Sequence, residues 1–210
     1  RDKIIGLSSP SDKPIAKGDG VTTAVGYWGG LSCRAGILDK QNENHSIFLN
    51  NLAKPYFESI VKWYETASIG VSGRELWNEV VSVLQKAGLK PALNVGHQTS
   101  IDEWMHSLVS PDSDEKIKSG MAFQCDIIPT PLPDGIALNC EDSVFFADES
   151  MRKEIKRKFP SLWSRIESRQ QFIREKIGIN ISDDLLPLSN NCGYYSPFWL
   201  EPDQVLVVEK

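Results

Sequence analysis

The chain has 210 residues, enough for one well-buried core, and its 40% hydrophobic and 24% charged content disfavours both disorder and a fibrous class. A formal net charge of −5 argues against nucleic acid or an anionic membrane as partner, since either demands a basic surface to neutralise phosphates. No apolar run approaches the roughly 18 residues that span a bilayer and no signal-peptide pattern is present, so a cytoplasmic protein is expected.

The chain opens at Arg1 in what reads as a strand-bearing segment, so N-terminal elements of a longer domain are expected to be missing. Residues 20–38, GVTTAVGYWGGLSCRAGIL, mix β-branched residues with glycines and carry no acid, which predicts two strands joined at Gly29-Gly30. From about 41 to 68, Ile47, Phe48, Leu52, Tyr56, Ile60 and Trp63 recur at steps of three and four, the mark of a long amphipathic helix. A second helix opens at SGRELW, with Ser72 as cap and Glu75 completing a capping box, and ends at Gly88. The period then becomes extended through PALNVGH, GMAFQCDIIP and GIALNCEDSVFFAD. PTPLPDG, between the last two, reads as a hairpin connection because its three prolines exclude both helix and a central strand.

Residues 149–177 return to helix, broken near Pro160, and QVLVVE reads as a final short strand. The basic stretch MRKEIKRKFP alternates its cations with acids and apolar residues and is read as a solvated helix face. Cys33, Cys125, Cys140 and Cys192 show no C-x-x-C spacing and are expected to be free buried thiols. Two long helices beside antiparallel strands make an α+β domain, without repeats of 20 to 50 residues.

The chemistry concentrates where CDIIP and CEDSV would pair. A register that places Asp126 opposite Glu141 sends both carboxylates to one face and leaves Cys125 and Cys140 diagonal on the other. Two facing acids in a half-buried sheet repel and lose hydration, so they call for a metal, another cation or a shared proton. His97, from the NVGH segment, would supply an imidazole, and one imidazole with two carboxylates suits zinc, manganese or cobalt. The plain alternative is that His97 is a satisfied polar residue and that Glu141-Asp142 faces outward at a strand edge.

These stretches resemble, in order, the motifs of the pita-bread metallopeptidases: aminopeptidase P, prolidase, methionine aminopeptidase and the metal-free relative creatinase. KPIAKGDGVTTAVGYWGG is similar to the family's aspartate-bearing strand and NVGHQTSIDEW to its histidine motif. IKSGMAFQCDIIP and IALNCEDSVFF resemble its two glutamate-bearing strands. The resemblance covers roughly residues 1–148, with 149–210 as a helical extension and an aromatic, proline-rich tail packed on the same domain. It implies a pita-bread α+β fold and a site in which two aspartates, a histidine and two glutamates hold two divalent metals.

Residue by residue, the first aspartate falls on Ala24, the second at or next to Cys33, the histidine on His97, and the glutamates on Asp126 and Glu141. A second family histidine falls on Trp104, with His106 two residues beyond. Loss of both aspartates makes the two-metal mechanism an unfavourable expectation. What remains is one divalent metal, zinc, manganese or cobalt, held by His97, Asp126, Glu141 and Cys33, or no metal, with His97 or His106 as acid and base as in creatinase. Creatinase's own catalytic histidine would lie upstream, where this chain has GLSSP. Trp104, Tyr194 and Tyr195 are candidates for contact with substrate, the tail serving as a lid or else as core packing. Two functions follow: a hydrolase of a peptide or small amide with a remodelled site, or a non-catalytic pseudo-peptidase that binds a peptide or protein in the old cleft. The second resembles the peptidase-like domain of the large subunit of the histone chaperone FACT. The sequence leaves the assembly open, a homodimer included.

Overall fold

The computed structural model describes Ser9 and residues 12–209, so the expectations placed on the first eleven residues, most of the GLSSP stretch among them, lie outside the described residues. Strand β1 (Gly20–Tyr27) and strand β2 (Gly30–Ile37) form an antiparallel hairpin in which Ala24 faces Cys33. The turn is Trp28-Gly29, one residue earlier than expected, with φ of +50° and +73°. Two successive left-handed residues match the right-handed twist of the strands they join. Gly29 is required for a second reason, since a Cβ there would lie 2.1 Å from the Ser100 carbonyl oxygen.

The long helix forms, but not as one uniform coil. A 3-10 turn (Glu43–His45), the single turn α1 (Ser46–Phe48) and a π turn (Leu49–Ala53) lead into α2 (Lys54–Thr66). The wider π turn shifts the phase of the apolar stripe. Phe48, Tyr56, Ile60 and Trp63 are buried, whereas Ile47, expected on the same stripe, is exposed. Helix α3 (Gly73–Lys86) starts as its sequence demands, with Ser72 Oγ accepting from the Glu75 N–H at 3.2 Å, and Gly88 follows its end in the left-handed region. Ser72→Ala should lower stability by about 1 kcal/mol, readable as a small fall in Tm.

Strands β4 (His97–Thr99), β5 (Ala122–Ile127), β7 (Asn139–Phe146) and β8 (Leu185–Pro187) complete the main sheet, ordered β1-β2-β7-β5-β4. One edge of β7 changes partner along its length: Asn139–Glu141 pair with β2, and Val144–Phe146 pair with β8. The PALNVGH stretch is divided, because β3 (Lys90–Pro91) joins β6 (Pro129–Thr130) in a separate small sheet. QVLVVE is not a strand. Its backbone donates one bond at a time, from Gln204 N–H to Glu201 O, from Leu206 N–H to Tyr195 O and from Val208 N–H to Ile177 O, and Leu185–Pro187 forms a strand of the main sheet. Helices α4 (Glu149–Lys158) and α5 (Pro160–Phe172) break at Pro160 as expected, and Asp148 caps α4.

One face of the sheet carries Phe123, Cys125, Ile127, Cys140, Val144 and Phe146 into a core shared with Tyr56, Ile60, Trp63, Leu76, Val80 and Leu84. Each large apolar side chain buried there contributes about 1.5–3 kcal/mol. The tail enters the same core: Tyr195 packs edge-on to Tyr56 and Phe198 to Phe48. A smaller cluster of Ala147, Trp163, Ile166 and Leu186 lies under α4 and α5. All four cysteines are free and buried, and among the described residues no helix is long and apolar enough to cross a membrane.

Candidate functional site

Side chains alternate across a strand, so the residues between those core positions face the other way. That face carries Cys33, Gln124, Asp126, Asn139, Glu141 and Ser143. The register makes four of its positions a single row across β1, β2, β7 and β5: Ala24 opposite Cys33, Cys33 opposite Glu141, and Glu141 opposite Asp126. The expected Asp126–Glu141 pairing is therefore present, as is the diagonal relation of Cys125 and Cys140 on the helix-facing side, where they pair with Asp142 and Ile127 respectively. His97, opposite Gln124 on β4, adds an imidazole beside the end of the row.

His97 Nε2 lies 3.7 Å from Glu141 Oε1 and 4.0 Å from Asp126 Oδ2, and the Cys33 thiol donates to Glu141 Oε2 at 3.0 Å. The cluster is deeply buried: His97 is 0% exposed, and Asp126 and Glu141 are each 4% exposed. A buried polar group without a partner is costly, yet both ring nitrogens of His97, Asp126 Oδ1 and Glu141 Oε1 lack a hydrogen bond of good geometry.

A residue not singled out from the sequence completes the arrangement. After β4 the chain turns through Ser100–Met105 and comes back beside itself, with Gln98 N–H donating to His106 O and Met105 N–H to Gln98 O. Thr99 Oγ1 ties this loop to the Gly29 carbonyl at 2.5 Å. The return brings Glu103 Oε1 to 2.9 Å from His97 Nε2 and stacks the Trp104 indole on the imidazole, centroids 4.0 Å apart and planes 15° from parallel. Glu103 escapes period-based reading because loop acids are ordinarily solvated. The available signal is its place in QTSIDE, a turn-rich stretch that returns the chain to a buried histidine.

The electrostatics follow from this crowding. Burial, then the Glu141 and Glu103 carboxylates, push the Asp126 carboxyl well above the usual carboxylate range. Glu103 is raised by burial and by a hydrogen bond with Glu141, against the pull of His97. Burial and the neighbouring Glu141 raise the Cys33 thiol, which is held as S–H. Three carboxyl groups thus crowd one imidazole, an arrangement that a cation would relieve.

The donor set fits one such cation. His97, Glu103 and Glu141 offer ligand atoms within 4.8 Å of one another, and the 2.9 and 3.7 Å separations are compatible with ligands about 2.1 Å from a common ion. Of the four candidates from sequence, His97 and Glu141 belong to this set, Asp126 flanks it, and Cys33 reaches it through Glu141. Two adjacent dications do not fit: Ala24 has no donor and Cys33 carries no carboxylate.

The remaining candidates lie apart from His97. His106, paired with Gln98, projects from the opposite side of the chain to His97 and its Nε2 meets Glu115 at 2.9 Å near solvent. Tyr195 is buried on the helix-facing side with its hydroxyl on the Ala35 carbonyl, which contradicts a place in the pocket. Tyr194 directs its hydroxyl to the Pro202 carbonyl, and its own carbonyl accepts from Arg34 on that same side. Trp104 alone of the three aromatic candidates borders the cluster.

No protein-family model and no curated protein matches the chain. Solved structures do. The prolidase from Pyrococcus horikoshii superposes with a TM-score of 0.58 at 20% identity, over 68% of this chain and 42% of its own. The prolidase from Pyrococcus furiosus gives 0.57 at 21% identity, over 66% and 41%. The Xaa-Pro dipeptidase from Bacillus anthracis gives 0.55 at 19%, over 67% and 40%. The chain thus spans about two fifths of the length of these proteins, and at such identities the likeness is one of fold: an antiparallel sheet and helices arranged as in the pita-bread peptidases.

Proposed function

We propose that the chain holds one divalent cation between His97, Glu103 and Glu141 and hydrolyses an amide bond of a peptide or small amide. The observation that carries this is the fully buried imidazole whose nitrogens lack good hydrogen bonds while two carboxylates converge on it. A cation bound there supplies a Lewis acid for the scissile carbonyl and lowers the pKa of water. The chain's own groups do the rest. Glu103 supplies a carboxylate that the row lost at Ala24 and Cys33. Asp126, whose carboxyl burial and the neighbouring Glu141 and Glu103 push upward in the cation-free site, stands beside the cation seat where it can accept or return a proton. Trp104 shields one face of His97 from water, and its half-exposed indole offers a platform for a substrate side chain. The fold shared with prolidases and a Xaa-Pro dipeptidase favours peptides as the first substrates to try.

Metal analysis of the purified protein tests the proposal. About one equivalent of zinc, manganese or cobalt is expected, lost in His97→Ala and weakened in Glu103→Gln, with cleavage of Xaa-Pro peptides by the loaded wild type. Absence of metal and of cleavage, with peptide binding retained, would instead establish the pseudo-peptidase. That second reading is favoured by Ala24 and Cys33, which leave half of the four-residue row without a carboxylate.

A further inference from the structure

On the helix-facing side, behind the row, Arg34 uses every donor it has. Nε donates to Tyr194 O at 2.8 Å, Nη1 to Cys33 O at 2.6 Å and Glu141 O at 3.2 Å, and Nη2 to Asp142 Oδ1 at 2.7 Å and to Asn191 O. Asp142, fully buried, also accepts from Tyr64 Oη at 3.0 Å and from Gly193 N–H at 3.3 Å. The guanidinium sits where β7 exchanges partners. β2 releases it after Glu141, β8 takes over at Val144, and Asp142 and Ser143 between them have no strand on that edge. The other edge of β7 stays paired with β5 from Cys140 to Phe145, and in the gap the guanidinium takes the Glu141 carbonyl while Leu188 N–H donates to Ser143 O at 3.0 Å.

We propose that Arg34 is the positioning residue of the His97–Glu103–Glu141 site and that the tail segment Asn191–Tyr194 completes it; this rests on the single-cation reading of the site. Two of the five acceptors are carbonyls of Cys33 and Glu141, adjacent members of the row, so the guanidinium fixes the backbone from which both side chains project. The tail carbonyls hold the guanidinium in turn. A part of the chain remote in sequence thereby sets the geometry of the cation's seat. The planar five-donor fork is the essential chemistry, because lysine offers three donors around a point charge and cannot reach five acceptors on three segments.

Arg34→Lys should weaken cobalt or zinc binding about ten- to a hundredfold, the usual effect of losing a group that orients a ligand. Leu186→Ala, in the separate small cluster, serves as a control that lowers Tm without touching the network. Wild-type affinity in the control and reduced affinity in Arg34→Lys supports the inference, and equal affinity in all three proteins overturns it. Tyr64→Phe, which removes only one bond to Asp142, should shift affinity the same way by less and covers the case in which Arg34→Lys fails to fold. If the wild type takes no cobalt or zinc, the single-cation reading fails, and amide hydrogen exchange then decides the role of Arg34. Loss of protection at residues 139–142 and 97–103 as well as at 191–194, in Arg34→Lys or Tyr64→Phe but not the control, supports it, and loss confined to 191–194 overturns it.

Discussion

Asp142→Ala is expected to destabilise the protein by about 3–5 kcal/mol, a large share of the stability of a domain of this size. The carboxylate is fully buried and meets Arg34 at 2.7 Å, so its removal leaves a guanidinium in the interior with no counter-charge and frees the Tyr64 hydroxyl and the Gly193 N–H. The loss is a penalty for breaking the pair and not a measure of what the pair contributes. The double variant Arg34→Met with Asp142→Leu should recover part of it, because an apolar pair removes both charges together but leaves the Tyr64 hydroxyl, the Gly193 N–H and the carbonyls that accept from Arg34 without those partners. Urea denaturation of the three proteins gives the comparison. A single variant within about 1 kcal/mol of wild type would show that the ion pair is hydrated in solution.

The second large effect has the opposite sign. Asp126→Asn should stabilise the metal-free protein by about 1–3 kcal/mol near pH 8. The folded-state pKa of Asp126 is raised, so the carboxyl ionises more readily in the unfolded chain than in the native one. Below the unfolded carboxylate pKa, about 3.9, both states hold the proton and the group has no effect on stability. As pH rises from there towards the folded value, the unfolded state is favoured by a growing amount, which levels off above it. Asparagine removes this drain, so the advantage of the variant should be near zero close to pH 4 and greatest above neutrality. Thermal melts in the presence of a chelator test it. A Tm gain that is constant from pH 4 to 8 would attribute the effect to packing, and a loss at pH 8 would show that the carboxylate is favourably solvated. A bound cation would cancel the penalty, so added zinc should narrow the difference between the two proteins.

How far the sequence could be read depended on how local each signal was. The Asp126–Glu141 register follows from a proline-bound hairpin between two strands of matching polarity, all within about 20 residues, and it is present. His97 stands out in the sequence through the likeness of NVGHQTSIDEW to a histidine motif, and the structure places it beside Asp126 and Glu141. Ser72 and Pro160 act within a turn of themselves and placed their helix boundaries. Ile47 was misplaced because a π turn five residues long changes the phase without a mark in composition. QVLVVE has the β-branched composition of a strand, but its backbone bonds to Tyr195 and Ile177 one at a time, a pairing that only tertiary structure decides. By sequence Tyr195 suits a lid or a core, and the edge-on Tyr56 ring holds it in the core. Glu103 and Arg34 carry no local signal for their contacts: His97 lies 6 positions from the one, and Glu141, Asp142, Asn191 and Tyr194 lie 107 to 160 positions from the other, which no local period encodes.

The bond from Arg34 to the Tyr194 carbonyl spans 160 residues. Contacts of such separation form late, since the loop they close must first be ordered. During synthesis the strands bearing His97, Asp126 and Glu141 leave the ribosome well before the segment that steadies them. The protein should therefore pass through a stage in which its sheet is assembled but the row of Cys33, Glu141 and Asp126 beside His97 is still slack. On the single-cation proposal, nascent chains halted before Asn191 would collapse without gaining tight metal affinity, and synthesis beyond Tyr194 would confer it.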